Sequence, residues 1–179
     1  PDLFQVFQAK FVAHRDRDKS QCHIGNNGIE YINWAKSNNY KIWAMFSNNS
    51  YKETTTQILN SYDLRTKVIN NIVALAIQYE LDGINLDFEN MSEADKDLYS
   101  RFVIELKPKL QEAGIILSVD VTAPDGGNDW SECFDRNVIG DVADYIVFMA
   151  YDQYGANAKK AGTIQFLPYI TRNVDLENQ

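Results

Sequence analysis

The sequence predicts an α/β fold in which parallel strands alternate with covering helices, and three observations point to it. Short apolar runs of strand length alternate along the chain with longer stretches whose apolar residues recur at helical spacing. No linker, repeat or low-complexity tract interrupts that alternation. A strand-helix-strand order closes by right-handed crossovers, which makes the sheet parallel and places helices over it.

The elements follow in order. Leu3 to Val12 (LFQVFQAKFV) reads as the first strand, and Arg15 to Asn27 as a loop too charged to bury. Ile29, Ile32 and Ala35 mark a short helix that the Asn38-Asn39 pair ends. Lys41 to Ser47 (KIWAMFS) is the second strand. After a polar loop, Val68, Ile72, Leu75 and Tyr79, with Ile69, Val73 and Ala76, draw an apolar stripe along a helix. Gly83 to Glu89 is the third strand. Ser92 with Asp95 three residues on reads as a capping box. Leu98, Phe102, Leu106 and Leu110 supply the buried stripe of the helix that follows, which Pro108 should kink and Gly114 should end. Ile115 to Val121 and Tyr145 to Tyr151 are the fourth and fifth strands, separated by a Gly/Asn/Asp/Pro loop and a short helix. Thr163 to Val174 reads as a last helix interrupted by Pro168. Five strands are visible where a closed barrel of this pattern has eight and uses about 250 residues.

Composition narrows the function classes. The 179 residues carry 25 acidic and 17 basic side chains, a formal charge of −8, with no Lys/Arg cluster, which argues against tracking nucleic-acid phosphates. No apolar run approaches the roughly 20 residues that span a bilayer, and no charged-then-apolar leader opens the sequence, so an export signal would lie outside it. Cys22 and Cys133 have no metal-ligand spacing and read as two incidental thiols, and His14 and His23, both near one end, make a multi-histidine metal site improbable. No cofactor is expected.

Chemistry concentrates in Asp82-Gly83-Ile84-Asn85-Leu86-Asp87-Phe88-Glu89. Strand alternation sends Ile84, Leu86 and Phe88 to one face and Asn85, Asp87 and Glu89 to the other. A buried parallel strand is normally apolar on both faces. Here one face is a row of amide, carboxylate and carboxylate running to the strand's C-terminal end, where parallel α/β folds place their sites. An exposed edge strand would tolerate such a row, but the apolar helices on either side argue for burial. Asp87 and Glu89, two residues apart, can meet through their carboxyl groups, and one of such a pair can stay protonated as a general acid near neutral pH. That suits glycosidic bond cleavage. Asp82 is a further oxygen donor for magnesium or calcium, but its strand parity is opposite and no phosphate-cradling glycine loop accompanies it.

Asp82-x-x-Asn85-x-Asp87-x-Glu89 resembles the Asp-x-x-Asp-x-Asp-x-Glu signature of glycoside hydrolase family 18, the chitinase-like family. Met149-Ala150-Tyr151-Asp152 resembles the family's Met-x-Tyr-Asp motif, in the right order. Ile42-Trp43-Ala44-Met45-Phe46-Ser47-Asn48-Asn49, Asp87-Phe88-Glu89-Asn90 and Ser118-Val119-Asp120-Val121-Thr122-Ala123-Pro124 are similar to the bacterial spore-germination and cortex-lytic members, the peptidoglycan N-acetylglucosaminidases. The resemblance implies a TIM-type (β/α)8 barrel, of which residues 1–179 would be a partial catalytic domain with about five parallel strands, the family's second to sixth.

It also implies hydrolysis of β-1,4-linked N-acetylglucosamine polymers, peptidoglycan or spore cortex ahead of chitin, by a retaining mechanism in which the substrate's acetamido oxygen is the nucleophile. Glu89 would be the general acid and then base. Asp87 would orient the acetamido group and stabilise the charged intermediate, and Tyr151 would hydrogen-bond the same group. Asp152 would contact sugar hydroxyls, and Met149 would line the sugar floor or simply pack the barrel. Asn85 replaces the family's usual acid and can donate to Asp87 but cannot ionise. The family's floor tryptophan has no counterpart: Trp34 falls on a helix, Trp43 on a strand and Trp130 in a loop. Asp120 is a further strand carboxylate able to support the site.

Two other functions fit parts of the sequence. A chitinase-like glycan-binding protein without turnover would use the same groove, though Glu89 argues for catalysis. A magnesium-dependent phosphoryl enzyme would use the acidic strand. The expected partner is an N-acetylglucosamine polysaccharide outside the cell, at the wall or spore, with no nucleic acid and no membrane. Five open strands leave two unpaired edges, so the chain alone is expected to be weakly active or inactive, with its edges either pairing with another copy or becoming exposed and irregular.

Overall fold

The computed structural model describes residues 7–11, 26–48, 50–124, 127–151, 154, 159–162 and 168. All of the helix expected over Thr163 to Val174 but Pro168, together with residues 12–25, which include His14, Cys22 and His23, and Asp152, lie outside them. Five parallel strands form one sheet in sequential order: β1 (Phe7–Phe11), β2 (Ile42–Ser47), β3 (Gly83–Asp87), β4 (Ile116–Thr122) and β5 (Tyr145–Met149). The connecting helices are α1 (Asn26–Ser37), α2 (Lys52–Asn60), α3 (Tyr62–Gln78), α4 (Lys96–Glu112) and α5 (Arg136–Val142).

Alternation on the strands decides the layers. Ile42 and Ala44 of β2, Ile84 and Leu86 of β3, and Leu117, Val119 and Val121 of β4 are buried on the helix side, against Ile69, Ile72 and Ala76 of α3 and Phe102, Leu106 and Leu110 of α4. Phe88, just past β3, stacks on Tyr99 with ring centroids 5.3 Å apart and meets Phe102 at 5.6 Å. The end of the central strand is therefore anchored by aromatic contacts to the helix that follows it.

Two aspartates tie down the opposite, N-terminal ends of the strands. Asp82 accepts from the backbone N–H of Ile42 at 2.8 Å and from Lys41 Nζ at 2.7 Å, while its own backbone bonds Ile42 and Ile116. Asp144 repeats the device, accepting from Leu117 N at 2.8 Å and Lys107 Nζ at 2.5 Å. Both satisfy strand amides that have no partner within the ladder. Asp82 is thereby at the far end of β3 from Glu89, in a structural role.

Two local expectations differ. The polar loop after β2 contains α2, which buries only Thr55 and Leu59 and so shows no apolar stripe in the sequence. Ser92 does not form a capping box: its side chain makes no cap bond, and Asp95 is buried, accepting from the Thr56 hydroxyl of α2. α4 runs on through Pro108 to Glu112. The carbonyl deprived of its partner there belongs to Ile104, a residue on the exposed face. Gly114, at φ 72°, ends the helix as expected. The buried Arg65 of α3 was not anticipated; it donates to Glu105 of α4 at 2.7 and 3.0 Å and to the Leu59 carbonyl at 2.7 Å, joining three helices.

Gly83 opens β3 directly beneath the Trp43 indole, where a Cβ would lie 2.8–2.9 Å from ring atoms. The rigid ring cannot swing aside as a flexible chain end would. Gly83→Ala is expected to displace Trp43 and destabilise the protein by about 1–3 kcal/mol, measured by denaturant unfolding with tryptophan fluorescence reporting the ring's new surroundings.

Candidate active site

The strand face away from the helices is built from rungs read off the ladder. Trp43 is level with Gly83, Met45 with Asn85 and Ser47 with Asp87. Asn85 is level with Ser118 of β4, Ser118 with Tyr145 of β5, Asp120 with Val147, and Thr122 with Met149. The Trp43 and Tyr145 rings approach to 5.6 Å across this face although their strands are not neighbours, so the sheet is curled around it. One step beyond the Leu86–Val119 pair, Asp87 comes level with Asp120. The polar row expected on β3 thus lies beside a second one, Ser118, Asp120 and Thr122, on β4.

Asn85 is buried at 2 % exposure and donates through Nδ2 to Asp120 Oδ1 at 2.6 Å. It lies beneath the acids rather than on the open surface, and its amide reaches across to β4. Asp120 is 6 % exposed. Burial, and then the charges of Asp87 and Glu89, push its carboxyl up to about 7. Burial likewise drives the Tyr99 phenol upward, with the charges of Asp120 and Asp87 adding to the effect.

Glu89 is held through its backbone. The Asn48 side chain, at the end of β2, accepts from Glu89 N at 3.0 Å and donates to Glu89 O at 2.9 Å, so one amide clasps both main-chain groups. Asn48 also donates to Thr55 Oγ1 at 3.0 Å and accepts from Ser50 N at 3.1 Å. Ser50 Oγ reaches Glu89 Oε2 at 3.5 Å, and Asn90 Nδ2 returns to the Ser50 carbonyl at 3.2 Å. Ser50 and Asn90 both have left-handed backbone, φ 57° and 51°, on the turns that bring the two loops together. Asp87 and Glu89 stay half-buried, reachable from the C-terminal mouth of the sheet.

The other site candidates divide. Met149 is buried on the inner face, level with Thr122, and Tyr151 stands two residues further, past the end of β5, at 46 % exposure. Trp130 sits in a single π-helical turn, Asn128–Glu132, whose Trp130 carbonyl accepts from the Thr122 hydroxyl. Trp34 packs with Tyr31 and Tyr40 on the far side of the sheet from the acids. Cys133 is a buried free thiol, pushed up to about 11 by burial, and takes no part in the acid row. Among the described residues no group of three His, Cys, Asp or Glu could hold a metal ion, and no helix is long and apolar enough to cross a membrane.

Asn48 was missed by sequence reasoning, because a single polar residue after a strand carries no periodic signal. Asp120 had one: Ser118, Asp120 and Thr122 alternate with Leu117, Val119 and Val121 just as the β3 row alternates.

With this geometry in hand, residues 5–173 match the sequence model of Glycosyl hydrolases family 18. The protein YdhD of Bacillus subtilis (strain 168), whose assigned name is that of a sporulation-specific glycosylase, is 34% identical over 69% of this chain and 29% of its own length. The cortical fragment-lytic enzyme of Bacillus anthracis is 30% identical over 56% of this chain and 24% of its own. The crystal structure of the Bacillus megaterium QM B1551 spore cortex-lytic enzyme SleL superposes with a TM-score of 0.74 at 26% identity, covering 83% of this chain and 35% of that one. The chain spans less than half the length of these relatives.

The folded protein keeps the Asp120 proton up to about pH 7, whereas an ordinary aspartate releases it near 4, so stability falls as pH rises between those values. Asp120→Asn, which cannot ionise, is expected to stabilise the protein at pH 8 by on the order of 1 kcal/mol, about 2–4 °C in Tm. At pH 4 the variant should gain nothing. Thermal unfolding at the two pH values checks the sign.

Proposed function

The chain belongs to glycosyl hydrolases family 18, and from that premise we propose that it serves a hydrolase of β-1,4-linked N-acetylglucosamine glycans in which Glu89 is the general acid and base. The observation that supports this best is the placement of Glu89, half-buried at the C-terminal mouth of the sheet and clasped at both backbone groups by Asn48. A general acid works only where its proton lies within hydrogen-bond reach of the leaving oxygen, so a fixed backbone matters as much as the carboxyl.

In this reading Glu89 gives its proton to the glycosidic oxygen as the bond to the anomeric carbon breaks. The substrate's acetamido oxygen forms the new bond to that carbon from the opposite face. Asp87, one pleat below Glu89, accepts the acetamido N–H and balances the positive charge that spreads over the ring being formed. Tyr151, past the end of β5, donates to the acetamido group from across the sheet. Water, giving a proton to Glu89, then attacks the same carbon as its bond to the acetamido oxygen breaks, and this second inversion leaves the anomeric configuration unchanged. Met149 would lie under the sugar, and Asp152, outside the described residues, would contact its hydroxyls.

Peptidoglycan, the spore cortex form included, is the favoured substrate over chitin because relatives named as cortical fragment-lytic enzymes and as a spore cortex-lytic enzyme stand among the matches. Action at the cell wall or spore follows from the same names.

In the full-length protein, Glu89→Gln is expected to lower turnover of muropeptides and chito-oligosaccharides by about 10²–10⁴-fold, with little effect on glycan retention. Product release followed by reducing-end assay or mass spectrometry checks it. Undiminished turnover in the variant would remove Glu89 from this role, and glycan binding with no turnover in the parent protein would instead identify a binding protein.

A further inference from the structure

The β3–β4 register runs to Leu86–Val119, and carried one residue on it sets Asp87 beside Asp120, on the face that Asn85 shares with Ser118. Neighbouring strands run about 4.8 Å apart, so carboxyl groups on such a rung are side by side. Asp120 is almost wholly buried, and two carboxylates at that spacing in a partly dry site do not ionise independently. Asn85, one pleat below, fastens Asp120 Oδ1 through a 2.6 Å donated bond, which leaves Oδ2 as the oxygen able to bear a proton.

We propose that Asp120 is a positioning residue of the reaction: it shares one proton with Asp87 across β3 and β4, and Asn85 holds it in place to do so. The proposal deepens the glycosidase reading and rests on it for the role of Asp87. With the proton on Asp120 Oδ2, the hydroxyl donates to an Asp87 oxygen, the pair carries one negative charge, and Asp87 is held ready for the acetamido N–H. Once both groups are ionised, their repulsion turns Asp87 away and sets a second negative charge near Glu89.

The ionisable groups acting on Asp120 are Asp87 and Glu89 at the end of β3, and Tyr99 of α4 senses Asp120 and Asp87 in turn. Its rung on β5 carries Val147, which adds no charge. The direction of the shift at Asp120 agrees with this arrangement, since it is raised by burial first and by Asp87 next.

The test has two arms on the full-length protein. In the first, aspartate labelled with carbon-13 at Cγ is titrated by NMR. A carboxyl with a midpoint near 7 is expected. It should vanish in Asp120→Asn, and in Asp87→Asn it should fall by about one unit or more as the neighbouring charge is removed. Midpoints all below about 5, or a midpoint indifferent to Asp87→Asn, would overturn the sharing. This arm needs no turnover, so it decides the pair even if the glycosidase reading fails.

The second arm compares pH profiles of kcat. Asp120→Asn keeps a donor toward Asp87 and cannot ionise, so its alkaline limb should move up by about one unit or more. Asp120→Ala should lose about tenfold or more in kcat with a smaller change in KM, and Asp120→Asn should recover most of that loss at pH 6. An Asp120→Asn profile superimposable on the parent's, or equal losses in both variants, would overturn the positioning role.

Discussion

The structure depends on one constraint: β3 is buried on both faces yet carries polar groups on one of them. A strand has only two faces, and a charge removed from water without a partner costs several kcal/mol. Ile84, Leu86 and Phe88 therefore commit their side fully to the helix layer, where Phe88 packs on Tyr99 and Phe102. That commitment fixes the register and leaves Asn85, Asp87 and Glu89 facing inward whatever the cost. A slip of one residue would exchange the two sets, placing three polar side chains against Phe102 and Leu106. The apolar face is thus what aims the acids.

The neighbouring elements then act on what β3 presents. At its N-terminal end Asp82 closes the ladder with Ile42 and Lys41, and Asp144 does the same for β4 with Leu117 and Lys107. At the C-terminal end the ladder stops at Asp87, and Asn48 takes over, bonding the Glu89 N–H and carbonyl that no strand now serves. The two ends solve the same problem, backbone groups with no ladder partner, with opposite consequences. Clasps built on carboxylates hold the N-terminal end, while a neutral amide holds the backbone of Glu89 at the C-terminal end.

The five strands were legible as short apolar runs, alternating with polar residues in β3 and β4 and near-continuous in β2 and β5, and α1, α3 and α4 because their apolar residues recur at three and four. α2 was not: with only Thr55 and Leu59 buried, its sequence is that of a loop, and its helical form comes from docking on α3 and α4. Asp95 looked like a cap because spacing cannot tell a side chain turned to its own backbone from one turned to Thr56. At the site, the β3 row was legible for the same periodic reason as the strand. Of its support, Asp120 was legible as a further strand carboxylate but Asn48 was not, and only the three-dimensional register joins them to Asp87 and Glu89. Asp120 stood in an alternating row of its own, but which carboxyl on which rung would face Asp87 is a property of pairing, not of spacing.

Burying Asp120 beside Asp87 and Glu89 gives the folded state a higher affinity for a proton than the unfolded chain has, which bears on the proposed reaction as well as on stability. A cluster of three full charges would repel itself and weaken the fold. Retaining one proton lowers the charge without changing the geometry. In the proposed reaction a positive charge forming above Asp87 is balanced by the one negative charge that the pair retains. The field at the site is then matched to one added positive charge, and the match comes from the rung that sets Asp87 beside Asp120 rather than from any movement of the chain.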